Sequence, residues 1–169
     1  MPDPRVLVMM ASDSDLDATM PCLEVMETFG VPFEIVVASS YRAPHLVERL
    51  AREAEGRGIR VIIAVAGMSA HLAGAVASYT ILPVIGVPME HEALKGLDAL
   101  YSMVQMPRGT PVACMGIGPQ GAENAAYQAI QILGLQDEGL RERLYRHRDE
   151  LSDRVKRQNL RVQDRVGRR

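Results

Sequence analysis

Three short stretches carry the side chains with chemistry to offer. Ser12-Asp13-Ser14-Asp15 brings hydroxyls and carboxylates, Ser39-Ser40-Tyr41-Arg42 brings hydroxyls, a phenol and a guanidinium, and Gly67-Met68-Ser69-Ala70-His71 brings a bare backbone, a hydroxyl and an imidazole. Arg42 is the only Lys or Arg between Arg5 and Arg49, so an anion bound by the front of the chain has one obvious partner there. A guanidinium for phosphate, a carboxylate for sugar hydroxyls and a glycine that lets backbone approach closely are together what a ribose phosphate needs.

Each group also has a plainer use. Ser12 and Asp15 stand where helix caps stand, although amides and hydroxyls at a helix start can equally hold a phosphate. An arginine alone in a loop commonly serves a surface ion pair, and His71 opens a helix where a structural hydrogen bond is as good a use as acid–base work. His91 falls in a loop between two glutamates and is a second imidazole candidate for the pocket. His45 reads as an exposed helix-start residue, and His147 as a solvated residue of the charged tail.

These residues need a scaffold, and the pattern around them alternates strand and helix. Apolar runs at Arg5–Met10, Phe33–Ala38, Val61–Ala66, Val84–Val87 and Val112–Met115 read as five strands. Between them, Leu16, Met20, Leu23 and Met26 share a helical face. Leu46, Val47, Leu50, Ala51 and Ala54 share another after Pro44, which suits the first position of a helix. Further helices are expected from about Ala70 to Tyr79, near Leu97–Val104, and through Ala122, Ala125, Ala126, Ala129, Ile130 and Leu133. Continuous apolar strands separated by helices specify a parallel sheet covered on both faces. The fold expected is α/β, a three-layer, flavodoxin-like doubly wound sheet in the order 2-1-3-4-5, with an extra C-terminal helix. In such a sheet ligands bind outside the carboxyl ends of the strands, where all three stretches fall.

At 169 residues, 47% hydrophobic and 24% charged, the chain has material for one substantial core. It reads as a single soluble domain over 1–169, with a core over 5–136 and a helical extension over 137–169. No apolar run approaches membrane-spanning length, so a cytoplasmic protein is expected. Cys22 and Cys114 make neither a disulfide framework nor a metal site, and read as buried thiols. The net charge of −2 hides an asymmetry, because Arg141–Arg169 holds eleven basic residues against five acidic ones. Leu144, Leu151, Val155 and Val162 give that tail an apolar stripe, which favours docking on an acidic surface of its own or a neighbouring subunit over binding nucleic acid; no aromatic platform for bases accompanies the charges.

The motifs together resemble a family. Ser12-Asp13-Ser14-Asp15, Ser39-Ser40-Tyr41-Arg42-Ala43-Pro44, Ala66-Gly67-Met68-Ser69-Ala70-His71-Leu72-Ala73-Gly74 and Leu100-Tyr101-Ser102-Met103-Val104-Gln105-Met106-Pro107-Arg108-Gly109 are similar, in order and over about residues 5–150, to the N5-carboxyaminoimidazole ribonucleotide mutases of purine biosynthesis, also called the phosphoribosylaminoimidazole carboxylase catalytic subunit. The resemblance implies a cofactor-independent, metal-free enzyme of the isomerase or lyase class, assembled as an octamer. Such an enzyme moves a carboxylate from the exocyclic nitrogen to the ring carbon of an aminoimidazole ribonucleotide. It implies substrate binding by Ser12, Asp15 and Arg42, and closure of the Gly67–His71 loop over the base. With the neighbouring groups, the substrate-binding set is Ser12, Asp15, Ser39, Arg42, Gly67 and Ser69, and the proton-transfer set is Tyr41, His71 and His91.

The sequence departs from the family pattern at Tyr41, where a proton-shuttling His is usual. A phenol titrates near pH 10 and an imidazole near 6.5, so presenting the basic form of a phenol at pH 7 costs on the order of 4 kcal/mol. Met68-Ser69, Glu90-His91-Glu92 and Pro119-Gln120 depart as well. Two alternatives therefore stand beside the mutase: a diverged enzyme performing another carboxylation or decarboxylation on an anionic ribonucleotide, and a non-catalytic nucleotide-binding oligomer.

Overall fold

In the computed structural model, which describes residues 4–167, five parallel strands are β1 (Val6–Met10), β2 (Phe33–Val37), β3 (Val61–Gly67), β4 (Val84–Met89) and β5 (Ala113–Cys114). Their order in the sheet is β2-β1-β3-β4-β5, so the strand direction of travel reverses beside β1 and β3. Helices α1 (Leu16–Thr28), α2 (Pro44–Glu53), α3 (Leu72–Tyr79), α4 (Leu97–Val104) and α5 (Pro119–Gly134) connect or follow the strands, and α6 (Glu138–Gly167) closes the chain. The doubly wound, flavodoxin-like architecture is as the alternating pattern specifies.

Strands β1 and β4 are buried at every residue, as is β3 until Gly67, whereas β2 lies at the sheet edge and is only half-buried. Burial on both faces is why β1, β3 and β4 read as unbroken apolar runs. One side of the core is filled by Leu7, Met9, Ile62 and Ala64 of the sheet against Val47, Leu50, Leu72 and Val76 of α2 and α3. Beneath α5 the alanine face Ala122, Ala125, Ala126 and Ala129 is fully buried with Ile130 and Leu133. Strand β4 runs two residues past the expected Val87, because Pro88 and Met89 pair with Ala66 and Gly67. Strand β5 is shorter than expected, and its pairing is continued by the Met115 N–H donating to the Gly86 carbonyl at 2.9 Å.

The face of α1 is rotated from the expected one. Thr19, Cys22, Leu23, Val25 and Met26 are buried, while Leu16 and Met20 are 41% and 39% exposed. The rotation is possible because the Thr19 hydroxyl donates to the Asp15 carbonyl at 2.7 Å, so a polar side chain enters the core with its hydrogen bond made. Burial pushes the Cys22 thiol up to about 12. Cys114 is only half-buried, contrary to the expectation of a buried thiol, because it ends the short edge strand β5.

The described residues divide into two compact units, one running up to Leu133 and the other beginning at Gly134. In α6 Leu144 and Leu151 are half-buried, but Val155 and Val162 are 62% and 59% exposed. Among the described residues no helix is long and apolar enough to cross a membrane.

Candidate active site

The sheet register sets the floor of the site. Met10 pairs with Val37 on one side and Val65 on the other, so the chain leaves β1, β2 and β3 at nearly one level. The Ala38 N–H donates to Met10 O at 2.8 Å and the Ala11 N–H to Val65 O at 2.9 Å, which ties the roots of the loops together. The three stretches with chemistry follow directly.

In the first loop Ser12 adopts extended backbone and caps a single turn of 3-10 helix, Asp13–Asp15. Its Oγ accepts from the Ser14 N–H at 3.4 Å and from the Ser14 hydroxyl at 2.9 Å, and donates to Asp13 Oδ1 at 3.2 Å. Asp15 is 95% buried at the start of α1, being 5% exposed. Burial raises its carboxyl above the usual carboxylate range, and the Asp13 charge adds to this; the charge of nearby His91 and a backbone hydrogen bond at Ser12 oppose it. A carboxylate at this edge of the sheet can accept hydrogen bonds.

In the second loop the Ser39 Oγ accepts from the Arg42 N–H at 3.2 Å and the Ser39 carbonyl from the Ala43 N–H at 2.8 Å, closing a turn before Pro44 opens α2. The Arg42 guanidinium reaches across to the first loop, its Nη2 donating to the Ala11 carbonyl at 3.1 Å. One edge of the fork is thereby fixed, and the side chain remains exposed for an anion. Ala11, whose carbonyl supplies this anchor, is a positioning residue that no side-chain pattern marks.

The third loop is strained. Met68 and Ala70 have φ of 56° and 37°, in the left-handed region that favours glycine, and the Ala70 N–H closes the turn onto Gly67 O at 3.0 Å. This turn presents Ser69 and sends His71 to the N-terminus of α3, where its carbonyl accepts from the Ala75 N–H. The His71 ring lies 5.3 Å from the Tyr41 ring, centroid to centroid, at 35°. Tyr41 is 65% exposed.

His91 follows β4 and packs on the Gly67 backbone, where a Cβ would collide with its ring and lie 3.3 Å from the Met89 carbonyl. The loop beyond it is held by the Lys95 N–H donating to His91 O at 3.0 Å, with Lys95 and Gly96 both at positive φ. The structure therefore brings His91 together with Gly67, and Tyr41 together with His71. His45 is exposed on α2. Among the described residues no group of three His, Cys, Asp or Glu side chains could hold a metal ion.

A doubly wound α/β protein with a buried carboxylate, an anchored guanidinium and two imidazoles at the carboxyl edge of its sheet is what fold and site define. The family described as AIR carboxylase matches residues 5–154, and the chain belongs to that family. Relatives named N5-carboxyaminoimidazole ribonucleotide mutase come from Pyrococcus horikoshii, 45% identical over 161 residues covering 95% of this chain and 90% of that protein, and from Escherichia coli K12, 45% identical over 151 residues covering 89% of each. A third, from Thermotoga maritima, is 51% identical over 132 residues, covering 78% of this chain and 76% of its own. The crystal structure of Treponema denticola PurE superposes with a TM-score of 0.81 at 25% identity, over 90% of this chain and 94% of that one.

Proposed function

We propose that this protein is an N5-carboxyaminoimidazole ribonucleotide mutase of purine biosynthesis. The reading is supported by the family match over residues 5–154 and by relatives of that name. The observation that carries it from family to chemistry is the joint placement of Asp15, Arg42, Tyr41, His71 and His91 on loops that leave neighbouring strands.

Arg42 pairs with the substrate phosphate, helped by the hydroxyls of Ser12 and Ser39, and Asp15 accepts from the ribose. Gly67 and Ser69 lie over the base. The carboxylate leaves the exocyclic nitrogen as carbon dioxide, the nitrogen receives a proton, the ring carbon bonds the carbon dioxide, and the ring proton departs. Net proton movement is from carbon to nitrogen, so a group that gives and then takes suffices. His71 does this with Tyr41 as hydrogen-bond donor beside it, while His91 supplies the second imidazole near Asp15. The loop over the base keeps water from the released carbon dioxide. The protein works as a homo-oligomer, an octamer by the family resemblance, which sedimentation would test.

A second reading rests on Tyr41: a phenol at this position suits a decarboxylation or carboxylation that needs a donor alone. Incubation with carboxyaminoimidazole ribonucleotide and its N-carboxy isomer, followed by absorbance and carbon exchange, separates the two. Interconversion above background supports the mutase; saturable binding without interconversion overturns it.

A further inference from the structure

Strand order gives the site a direction. The Arg42 guanidinium, on the loop after β2, is anchored on the Ala11 carbonyl after β1 at 3.1 Å. Asp15 also follows β1, Gly67 ends β3, and His91 stands two residues beyond the end of β4. Neighbouring strands lie about 4.8 Å apart, so β1 and β4, two steps across the sheet, are separated by about 10 Å. A ribonucleotide held at its phosphate by Arg42 and at its ribose by Asp15 therefore lays its base over β3. The far edge of that base points toward the loop that carries His91.

The His91 ring is well held. Its Cδ2 and Nε2 atoms fit against the Gly67 backbone, where a Cβ would overlap them. The Lys95 N–H donates to the His91 carbonyl at 3.0 Å and closes the loop. The residue is only half-buried, so a fixed imidazole can still reach a ligand.

The charges around it are mostly negative. Asp13, Glu90 and Glu92 are exposed on these loops and Asp15 is buried among them. A carboxylate carried in on the base would be repelled here unless a cation met it. On the loops after β1, β2, β3 and β4 the other basic side chains already have uses. Arg42 takes the phosphate, Lys95 pairs with Glu90 at 3.5 Å, and the His71 ring packs against Tyr41 of the second loop.

We propose, building on the mutase reading of this site, that His91 is a specificity-determining residue that recognises the carboxylate of the substrate. The two imidazoles then divide the work: His71 moves the proton and His91 holds the carboxylate. The carboxylate shifts between the exocyclic nitrogen and the adjacent ring carbon, so one imidazolium meets it before and after the transfer. The carbon dioxide between these two states is uncharged. His91 thus holds both ends of the reaction more tightly than its middle, and binding of that kind lowers KM without raising kcat.

Calorimetric titration of the full-length protein with two ligands tests this: carboxyaminoimidazole ribonucleotide, and aminoimidazole ribonucleotide, which lacks the carboxylate. His91→Gln keeps a hydrogen-bond donor and loses the charge. It should weaken the carboxylated ligand about tenfold and leave the other within about twofold, which also shows that the variant is folded. Arg42→Ala removes the partner of the phosphate that both ligands share, and should weaken both alike. In steady-state kinetics His91→Gln should raise KM about tenfold with kcat not lowered. Equal affinities of the parent and His91→Gln for the carboxylated ligand, or equal weakening of both ligands, would overturn the proposal and leave the mutase reading standing. A fall in kcat at unchanged KM would do the same, by making His91 a proton carrier. A parent protein that binds neither ribonucleotide would overturn both together.

Discussion

Gly67 lies so close to the His91 imidazole that a methyl group at position 67 would occupy the space of the ring. The backbone at Gly67 is not in the left-handed region, so the requirement for glycine is one of space alone. Gly67→Ala is therefore expected to cost about 1–3 kcal/mol of stability, the range for overpacking a fitted contact. In a His91→Ala background most of that cost should vanish. Denaturant titration of the two single variants and the double variant measures the coupling; additive costs would place the strain elsewhere.

The Tyr41 ring packs against His71 yet is 65% exposed, so replacing it disturbs little of the fold. Tyr41→His puts a second imidazole beside the first at a position where a phenol cannot readily cycle a proton near pH 7. Mutase turnover is expected to rise by about a hundredfold, the lower end of what a matched acid–base group supplies. Single-turnover absorbance measurements would show it. Unchanged turnover would show that proton transfer by His71 is not the step that limits the mutase.

The strands were readable because residues such as Val6–Met10 and Val61–Ala66 are buried on both faces and leave an unbroken apolar run. The alanines of α5 were readable for the same kind of reason, each falling on one helical face. Helix α1 was not, because counting apolar residues favours Leu16 and Met20 over Thr19, and nothing in the pattern tells that the Thr19 hydroxyl will be satisfied by the carbonyl four residues earlier. The site divides similarly. Residue type and loop position single out Arg42 and Asp15, whereas the carbonyl of Ala11 that holds Arg42 and the fit of His91 onto Gly67 join residues far apart in sequence through backbone atoms. Such contacts leave no mark on composition or spacing.

Arg42 spends one side of its guanidinium on Ala11 and keeps the rest for an anion. Arg42→Ala should raise the dissociation constant for ribonucleotide between about tenfold and a hundredfold, the worth of a charge-assisted hydrogen bond. Arg42→Lys should recover only part, because an ammonium cannot hold the carbonyl and the phosphate in one plane. Calorimetric titration checks both. Equal affinity in all three proteins would remove Arg42 from the binding site.

Asp15 is buried with its carboxyl raised above the ordinary range, mainly by loss of water. A carboxyl whose folded pKa lies above its unfolded value of about 3.9 favours the folded state most when both states are protonated, and that advantage is lost as pH rises through the folded value. Asp15→Asn should therefore raise the melting temperature of the ligand-free protein at pH 7. The gain should shrink as pH falls toward about 4, while ribonucleotide binding is lost at every pH. Melting curves across that range decide it; a variant less stable at pH 7 would show that the carboxylate is a net stabiliser.

Met68 has φ of 56° and is 61% exposed, so it occupies a left-handed conformation without burying a side chain in return. A glycine adopts this conformation freely, and the larger entropy it loses on folding is smaller than the strain removed. Met68→Gly should stabilise the fold by up to about 1 kcal/mol and leave the turn from Gly67 to Ala70 intact. Because that turn lies over the base in the proposed function, the same change should alter KM for the ribonucleotide more than the stability of the sheet beneath. Chemical denaturation and steady-state kinetics on one preparation test the two halves together. A destabilised Met68→Gly protein would show that the Met68 side chain makes packing contacts worth more than its backbone strain.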